Sequence, residues 1–139
     1  MALEGTPLIE QQMYEALEGL LTGIITGGFY QSDCRPADSR MEDAVLTVSY
    51  ADAEQIQGGR AKLNIYVSDI NNGTGRDVPN KIRLQELSRI GDAVIETLNQ
   101  AYTDYLFYLT QATQSMPDLG TNQHFITINI GFKISPFKP

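Results

Sequence analysis

The sequence predicts an α+β fold, in which an antiparallel β-sheet of about four main strands is packed by two helices on one face. Apolar residues near the start recur every three or four positions, as in an amphipathic helix. Residues 60–67 and 124–134 alternate between apolar and polar, as in half-buried strands. The length of 139 residues fits one domain, so we expect residues 1–139 to form a single α+β unit.

The first helix is predicted to open at Thr6-Pro7 and to end at Gly27-Gly28, since threonine can cap a helix and proline suits its first position. Its apolar stripe consists of Ile9, Met13, Ala16, Leu17, Leu20, Leu21 and Ile24. A second helix is predicted over about 79–100, where Gly91 would let another element approach closely.

The predicted strands are 29–31, 44–50, 60–67, 105–113 and 124–134. The second and third are expected to pair as an antiparallel hairpin, whose connection at 51–59 is long enough to form a protruding arm. The last two are expected to form another hairpin, with a turn at 115–120. The connection at 68–80 is long for a plain loop, and we expect it to make contacts.

One histidine and one cysteine restrict the possible chemistry. Cys34 has no partner for an intrachain disulfide, and a catalytic triad would have to be built around His124. His124 lies on the apolar side of the last predicted strand, where a histidine satisfied by a neighbouring group is the favoured interpretation. We therefore expect a protein that is not an enzyme and that has no metal or cofactor.

Two loops contain residues that could bind ligands or act in catalysis. The segment 69–76 matches neither the calcium-loop spacing nor the phosphate-loop signature, which favours a flexible turn. The segment 33–43 carries four carboxylates that alternate with arginines, which is typical of a solvated loop rather than of a glycosidase pair. The carboxylates are Asp33, Asp38, Glu42 and Asp43, and the arginines are Arg35 and Arg40.

The net charge of −7 is distributed unevenly along the chain. Residues 1–34 carry five acidic and no basic residues, whereas 35–89 carry eight of each. Such separation lets a mixed-charge edge of one subunit meet an acidic surface of the next, and ordinary solubility is the alternative explanation. The negative charge does not favour specific nucleic-acid binding, and the short apolar stretches and acidic start predict a cytoplasmic protein without a membrane span.

The order and spacing of these elements resemble those of the small tail terminator or tail completion proteins of tailed bacteriophages. The resemblance is carried by the helix at 7–23, Gly28-Phe29-Tyr30, Arg35-Pro36, the segments 42–48 and 59–67, the helix at 79–100 and the closing hairpin. None of these segments is a catalytic signature. The long loop at 68–80 and the aromatic segment 102–107 depart from the family pattern and leave a neighbouring role in the head–tail neck open.

The resemblance implies a virion protein that assembles in the bacterial host cytoplasm as a ring, commonly a hexamer. Such a ring caps the tail tube, stops its polymerisation and offers a surface to the head connector, and an acidic lumen would let DNA pass without specific binding. The residues expected to contact other subunits or partners are Arg60, Lys62, Asp69, Asn71 and Arg76. A cytoplasmic binding or adaptor domain unrelated to phages has the same composition and strand patterns and stays the alternative.

Overall fold

A computed structural model describes residues 6–52, 58–71, 73, 75–102 and 104–134. This part of the chain contains three helices and eight strands. The helices are α1 (Thr6–Thr22), α2 (Lys81–Ser88) and α3 (Gly91–Ala101). The strands are β1 (Phe29–Gln31), β2 (Ala44–Asp52), β3 (Gly58–Ser68), β4 (Ile70–Asn71), β5 (Asp77–Val78), β6 (Tyr105–Leu109), β7 (Gln114–Asp118) and β8 (Gln123–Ile134).

The main sheet has the order β1-β2-β3-β8-β6. β7 also pairs with β8, at residues 123–127, while β6 pairs with residues 130–134. The short strand β1 runs parallel to β2, and the other pairs are antiparallel. At the centre, β3 and β8 pair continuously from Gly58 opposite Lys133 to Ser68 opposite Gln123. The α+β class, the hairpin of β2 with β3 and the pairing of β6 with β8 are therefore confirmed.

Alternation along β3 and β8 gives the sheet one apolar and one polar face. The apolar face carries fully buried side chains such as Leu63, Ile65 and Ile128, and the helices pack against it. The helical residues in this core are Ile9, Met13, Leu17 and Leu21 of α1, Leu84 and Leu87 of α2, and Val94 and Leu98 of α3. The opposite face, which carries Lys62, Asn64, Thr127 and Asn129 and against which none of the described helices packs, is termed the open face.

The single helix predicted over 79–100 is wrong, because the chain forms two helices there. α2 is capped at its start by the Asn80 side chain, which accepts a hydrogen bond from the Arg83 N–H at 3.2 Å. It ends at Arg89, and α3 begins at Gly91. Glycine is a poor helix former, so the break before Gly91 is consistent with the sequence; Gly91 is buried and faces the Leu109 side chain, which a Cβ there would contact at 3.5 Å.

The strand predicted over 105–113 and the turn predicted over 115–120 are also wrong in their bounds. β6 ends at Leu109, and residues 114–118 form β7 instead of a turn. Because β8 has 12 residues, its outer edge has hydrogen-bonding groups for two short partners, and β6 and β7 share that edge. The turn follows β7, where Gly120 and Asn122 adopt φ angles of 86° and 54°.

The two long connections differ from the predictions in detail. The connection at 68–80 contains a small antiparallel ladder of β4 with β5 and is therefore not a plain loop. In the predicted arm at 51–59, β2 extends to Asp52 and β3 begins at Gly58, while residues 53–57 lie outside the described part of the chain. No described helix has the length and apolarity needed to cross a membrane.

Leu63→Ala tests whether the apolar face supplies the stability of the fold. Leu63 is fully buried at the centre of β3, so we expect the free energy of unfolding to fall by about 3 kcal/mol, from lost burial and the cavity left behind. Ile82→Ala is the matched control, because Ile82 on α2 is 74% exposed and should change stability by less than about 0.5 kcal/mol. Urea denaturation measures both, and equal losses would contradict this assignment of the core.

Candidate interaction site on the open face

The strand register places polar side chains of three strands in rows across the open face. Lys62 of β3 lies opposite Thr47 of β2 on one side and Asn129 of β8 on the other. The next row along β3 contains Asn64, opposite Val45 and Thr127. These side chains project to one side of the sheet because alternate residues of a strand share a face.

A depression of about 390 Å³ lies at the Lys62 end of this face and is termed the open-face pocket. Its side chains come from four parts of the chain: β2, β3, β8 and the segment that joins β6 to β7. The polar lining residues are Ser49, Arg60, Lys62, Thr110, Gln111 and Asn129. The pocket therefore collects neutral and basic polar groups, and none of the described residues that line it is acidic.

Several polar groups of the open face have no partner within the described part of the chain. Asn129 is 6% exposed, and its Nδ2 atom forms no hydrogen bond. The buried atoms Asn64 Oδ1 and Thr127 Oγ1 also form no hydrogen bond. Arg60 and Lys62 are exposed and form no ion pair with another described residue. A buried polar group without a partner costs about 1–3 kcal/mol, so these groups mark a surface suited to contact another molecule.

A glycine beside the open-face pocket lets an aromatic ring lie against the sheet. Gly131 is opposite Arg60 on β3 and opposite Tyr108 on β6. A Cβ atom at Gly131 would lie 2.5 Å from Cε2 of Tyr108, which is too close for any larger residue without a shift of the ring. The Tyr108 ring therefore covers Gly131 next to Arg60.

The structure divides the five residues predicted as contact residues into two groups. Arg60 and Lys62 lie together in the open-face pocket. Asp69 follows the far end of β3, about 23 Å from Lys62 at the usual rise per residue of a strand. Asn71 and Arg76 belong to the segment of the β4–β5 ladder. A single contact surface made of all five residues is therefore not formed within one copy of the chain.

Asp69 has a partner inside the chain. Its Oδ1 lies 2.7 Å from Nδ1 of His124, and its carboxylate is 10% exposed. The interpretation of His124 as a histidine satisfied by a neighbour is thus confirmed. The Asp69 N–H also donates to the Asn122 carbonyl at 2.8 Å, which ties the end of β3 to the start of β8.

Asn71 and Arg76 lie on the exposed β4–β5 segment. The Asn71 side chain accepts a hydrogen bond from the Gly73 N–H at 2.8 Å, a local contact that stabilises a turn. Gly73 and Gly75 both have φ angles of 87°, a conformation that favours glycine. Arg76 is exposed and forms no ion pair with another described residue, so it remains available for contacts.

The interpretation of 33–43 as a solvated loop is wrong for Asp43, which is fully buried. Arg35 Nε donates to Oδ2 at 2.9 Å, Ser39 Oγ donates to the same oxygen at 2.5 Å, and the Gly28 N–H donates to Oδ1 at 2.8 Å. Burial alone would raise the pKa of Asp43, but the hydrogen bonds from Ser39, Gly28 and Arg35 hold the pKa below its ordinary value. The carboxylate is therefore charged and structural rather than solvated.

Arg35 extends this buried network to the end of the open face. Its Nη2 donates to Oε1 of the buried Gln123 at 3.1 Å, and its guanidinium carbon lies 4.0 Å from the centre of the Tyr66 ring. A cation stacked on an aromatic face is attracted by the electron-rich ring. The loop between β1 and β2 is thus fixed to both β3 and β8.

Glu42, next to Asp43, is also paired rather than solvated. Arg83 of α2 binds both of its carboxylate oxygens, at 2.8 and 2.6 Å, and donates a further hydrogen bond to the Ile24 carbonyl at 2.8 Å. The hydrogen bond with Glu42 raises the pKa of Arg83 against the opposing effect of burial. The bidentate pair fixes α2 to the loop between β1 and β2, and the hydrogen bond to Ile24 fixes it to the segment that follows α1.

Comparisons with known proteins leave the family of the chain open. No family model and no curated protein matches it. A solved structure aligns with 96% of this chain and 96% of its own chain, at 13% sequence identity and a TM-score of 0.44. A likeness at that level supports no argument about function.

Asp43→Asn tests the structural role of the buried carboxylate. The substitution leaves Arg35 without its ion-pair partner, so we expect the free energy of unfolding at pH 7 to fall by about 3 kcal/mol. The exposed Asp38→Asn is the matched control and should change stability by less than about 0.5 kcal/mol. Urea denaturation at pH 7 measures both.

The difference in the free energy of unfolding between the wild type and Asp43→Asn should depend on pH in a definite direction. Because the pKa of Asp43 is lowered in the fold, its contribution is complete above the ordinary value of 3.8 and is lost as pH falls through the folded pKa. The stability gap between the wild type and Asp43→Asn should therefore narrow below that value. A gap that widens on acidification would contradict the assignment.

Proposed function

We propose that the protein is a structural subunit of a ring at the head-proximal end of a phage tail, where it ends tube polymerisation and joins the tail to the head connector. The observation that carries this proposal is the contrast in charge between α1 and the open face, which lie on opposite sides of the sheet. α1 packs on the covered side and contains no lysine or arginine, and Glu15 and Glu18 are exposed on it. Arg60 and Lys62 are exposed on the open face.

Two unlike surfaces on opposite sides favour a head-to-tail contact. The acidic α1 of one copy can meet the basic open face of the next copy, while two α1 surfaces or two open faces would repel each other. A head-to-tail contact repeated around an axis gives a closed ring when its rotation closes, and an open filament otherwise. A cap that stops a tube requires the closed form.

The element order supports the same proposal. A first helix, a short strand, a hairpin, a helical segment and closing strands follow one another as in the tail terminator proteins that the sequence resembles. In that family the ring is commonly a hexamer. A ring of acidic subunits would also let DNA pass through its lumen, because like charges do not neutralise phosphates.

The outer edge of the sheet offers a second surface for tail or neck proteins. β6 and β7 have no further strand partner in the described sheet. At β6 the Asn99 side chain of α3 binds the N–H and the carbonyl of Phe107 at 2.8 and 3.0 Å, so β7 is the more open part of this edge. The large exposed apolar residues at or near this edge are Tyr108, Leu109, Met116 and Leu119. Exposed strand edges with apolar side chains are suited to pairing with another chain. This edge is therefore the proposed contact with the tail tube or the head connector.

The solution mass of the purified protein tests the proposal. We expect light scattering to show a closed assembly of about six subunits, as the family resemblance implies, and negative-stain images to show rings. Lys62→Glu should reduce the assembled fraction by reversing a charge at the contact, and raising the salt concentration should weaken assembly of the wild type.

Arg89→Glu is the control for that variant, because Arg89 is exposed at the end of α2 on the covered side of the sheet. It makes the same change of net charge and should leave the assembled fraction unchanged. A protein that stays monomeric at all concentrations and also fails to bind purified tail tubes would refute the ring and favour the adaptor alternative.

A further inference from the structure

The lining of the open-face pocket is rich in hydrogen-bond donors. Arg60 contributes a guanidinium group, Lys62 an ammonium group and Asn129 an amide group. Of the described residues, none that lines this pocket carries a carboxylate, although acidic residues outnumber basic ones by 17 to 10 in the whole sequence. The pocket is therefore a site of local positive charge in an acidic protein.

Asn129 is the buried donor of this pocket. It is 6% exposed, and its Nδ2 has no hydrogen-bond partner within the described chain. Its backbone is held on both sides: it pairs with Lys62 on β3, and its carbonyl accepts the Thr110 N–H at 3.0 Å. The backbone of Asn129 is thus fixed in position, while the Nδ2 donor of its side chain is buried and remains unsatisfied.

From this geometry we infer that the open-face pocket binds an oxyanion, either a phosphate or a carboxylate. The Arg60 guanidinium and the Lys62 ammonium neutralise the charge of the anion from the β3 side, and the buried Asn129 Nδ2 donates to it once the side chain rotates toward the pocket. Hydrogen bonds between charged donors and anionic oxygens are the strong ones, and a guanidinium can bind two oxygens at once. The volume of about 390 Å³ accommodates a small oxyanion or the end of an acidic side chain.

Two sources can supply this chemistry: a free phosphate-type ligand, or a carboxylate from another copy of the chain. The exposed Glu15 and Glu18 on α1 are carboxylates of the second kind. The binding site itself does not rest on the proposed ring, because its donors all belong to one chain. Its test therefore begins with the single chain and inorganic phosphate.

The first experiment is a titration of the dilute protein with sodium phosphate at low salt, followed by NMR of the side-chain amides. We expect a saturable shift of the Asn129 amide signals with one phosphate per chain. Arg60→Gln and Lys62→Gln should each weaken binding by about tenfold, the loss of one charge-assisted contact. Arg89→Gln removes an exposed charge outside the pocket and should change the dissociation constant less than twofold.

Asn129→Leu separates a binding role from a structural one. We expect phosphate binding to be lost, while the midpoint of thermal unfolding in phosphate-free buffer stays the same or rises, because an unpartnered amide is replaced by an apolar side chain of similar size. The exposed Arg60 and Lys62 variants keep the inference testable if this core variant does not fold. The inference is overturned if the Asn129 amide shows no saturable shift, or if Arg89→Gln weakens binding as much as Arg60→Gln does.

A second arm identifies the source of the anion. If a carboxylate of another copy fills the pocket, phosphate should dissociate the assemblies, and the double variant Glu15→Gln/Glu18→Gln should abolish assembly while leaving phosphate binding intact. If neither phosphate nor this variant changes assembly while phosphate binds, the site takes a free oxyanion. Phosphate binding by a chain that neither assembles nor binds purified tail tubes would refute the ring and support the site, so the two proposals fail separately.

Discussion

The antiparallel ladder between β3 and β8 is the constraint on which the core and the candidate site both depend. Successive side chains of a strand point to opposite faces, so the register that buries Ile65 opposite Ile126 also places Lys62 beside Asn129 on the other face. A slip of one residue would expose the apolar set and bury the charged one, at a cost that the fold could not meet. The hydrophobic core therefore determines the register, and the register determines which polar groups meet on the open face.

Patterns within single segments were sufficient to predict the central strands but not the elements at the edge. The alternation in 60–67 and 124–134 is strict, and both strands form where it occurs. The segment 105–118 has no comparable alternation, and the unpaired edge of β8 decides its structure by taking two short strands. Likewise, a stripe of apolar residues continues through 79–100, and its periodicity does not show that α2 ends at Ser88 and α3 begins at Gly91.

The candidate site was predictable only in part, for the same reason. Arg60 and Lys62 are two residues apart on one strand, so the sequence alone puts them on one face. Asn129 is 67 positions further along from Lys62, and their contact depends on a strand register that a single sequence does not reveal. The burial of Asp43 could not be predicted for a similar reason, because the alternation of acidic and basic residues around it is the one that a solvated loop would have. What differs is the contact of Arg35 with Gln123, a residue 88 positions away.

A contrast between the two ends of the sheet supports a contact outside the chain at one of them. At the Tyr66 end, burial of the Asp43 carboxylate is compensated by Arg35, Ser39 and the Gly28 N–H, so each carboxylate oxygen accepts at least one hydrogen bond. At the Lys62 end, the buried Asn129 Nδ2 has no partner in the described chain, although Ser49 and Thr110 line the same pocket. Most buried polar groups in folded proteins have a hydrogen-bond partner. The unsatisfied Asn129 donor beside two unpaired cations is the group that the proposed anion site would satisfy from outside the chain, at a position where a leucine would carry no such cost.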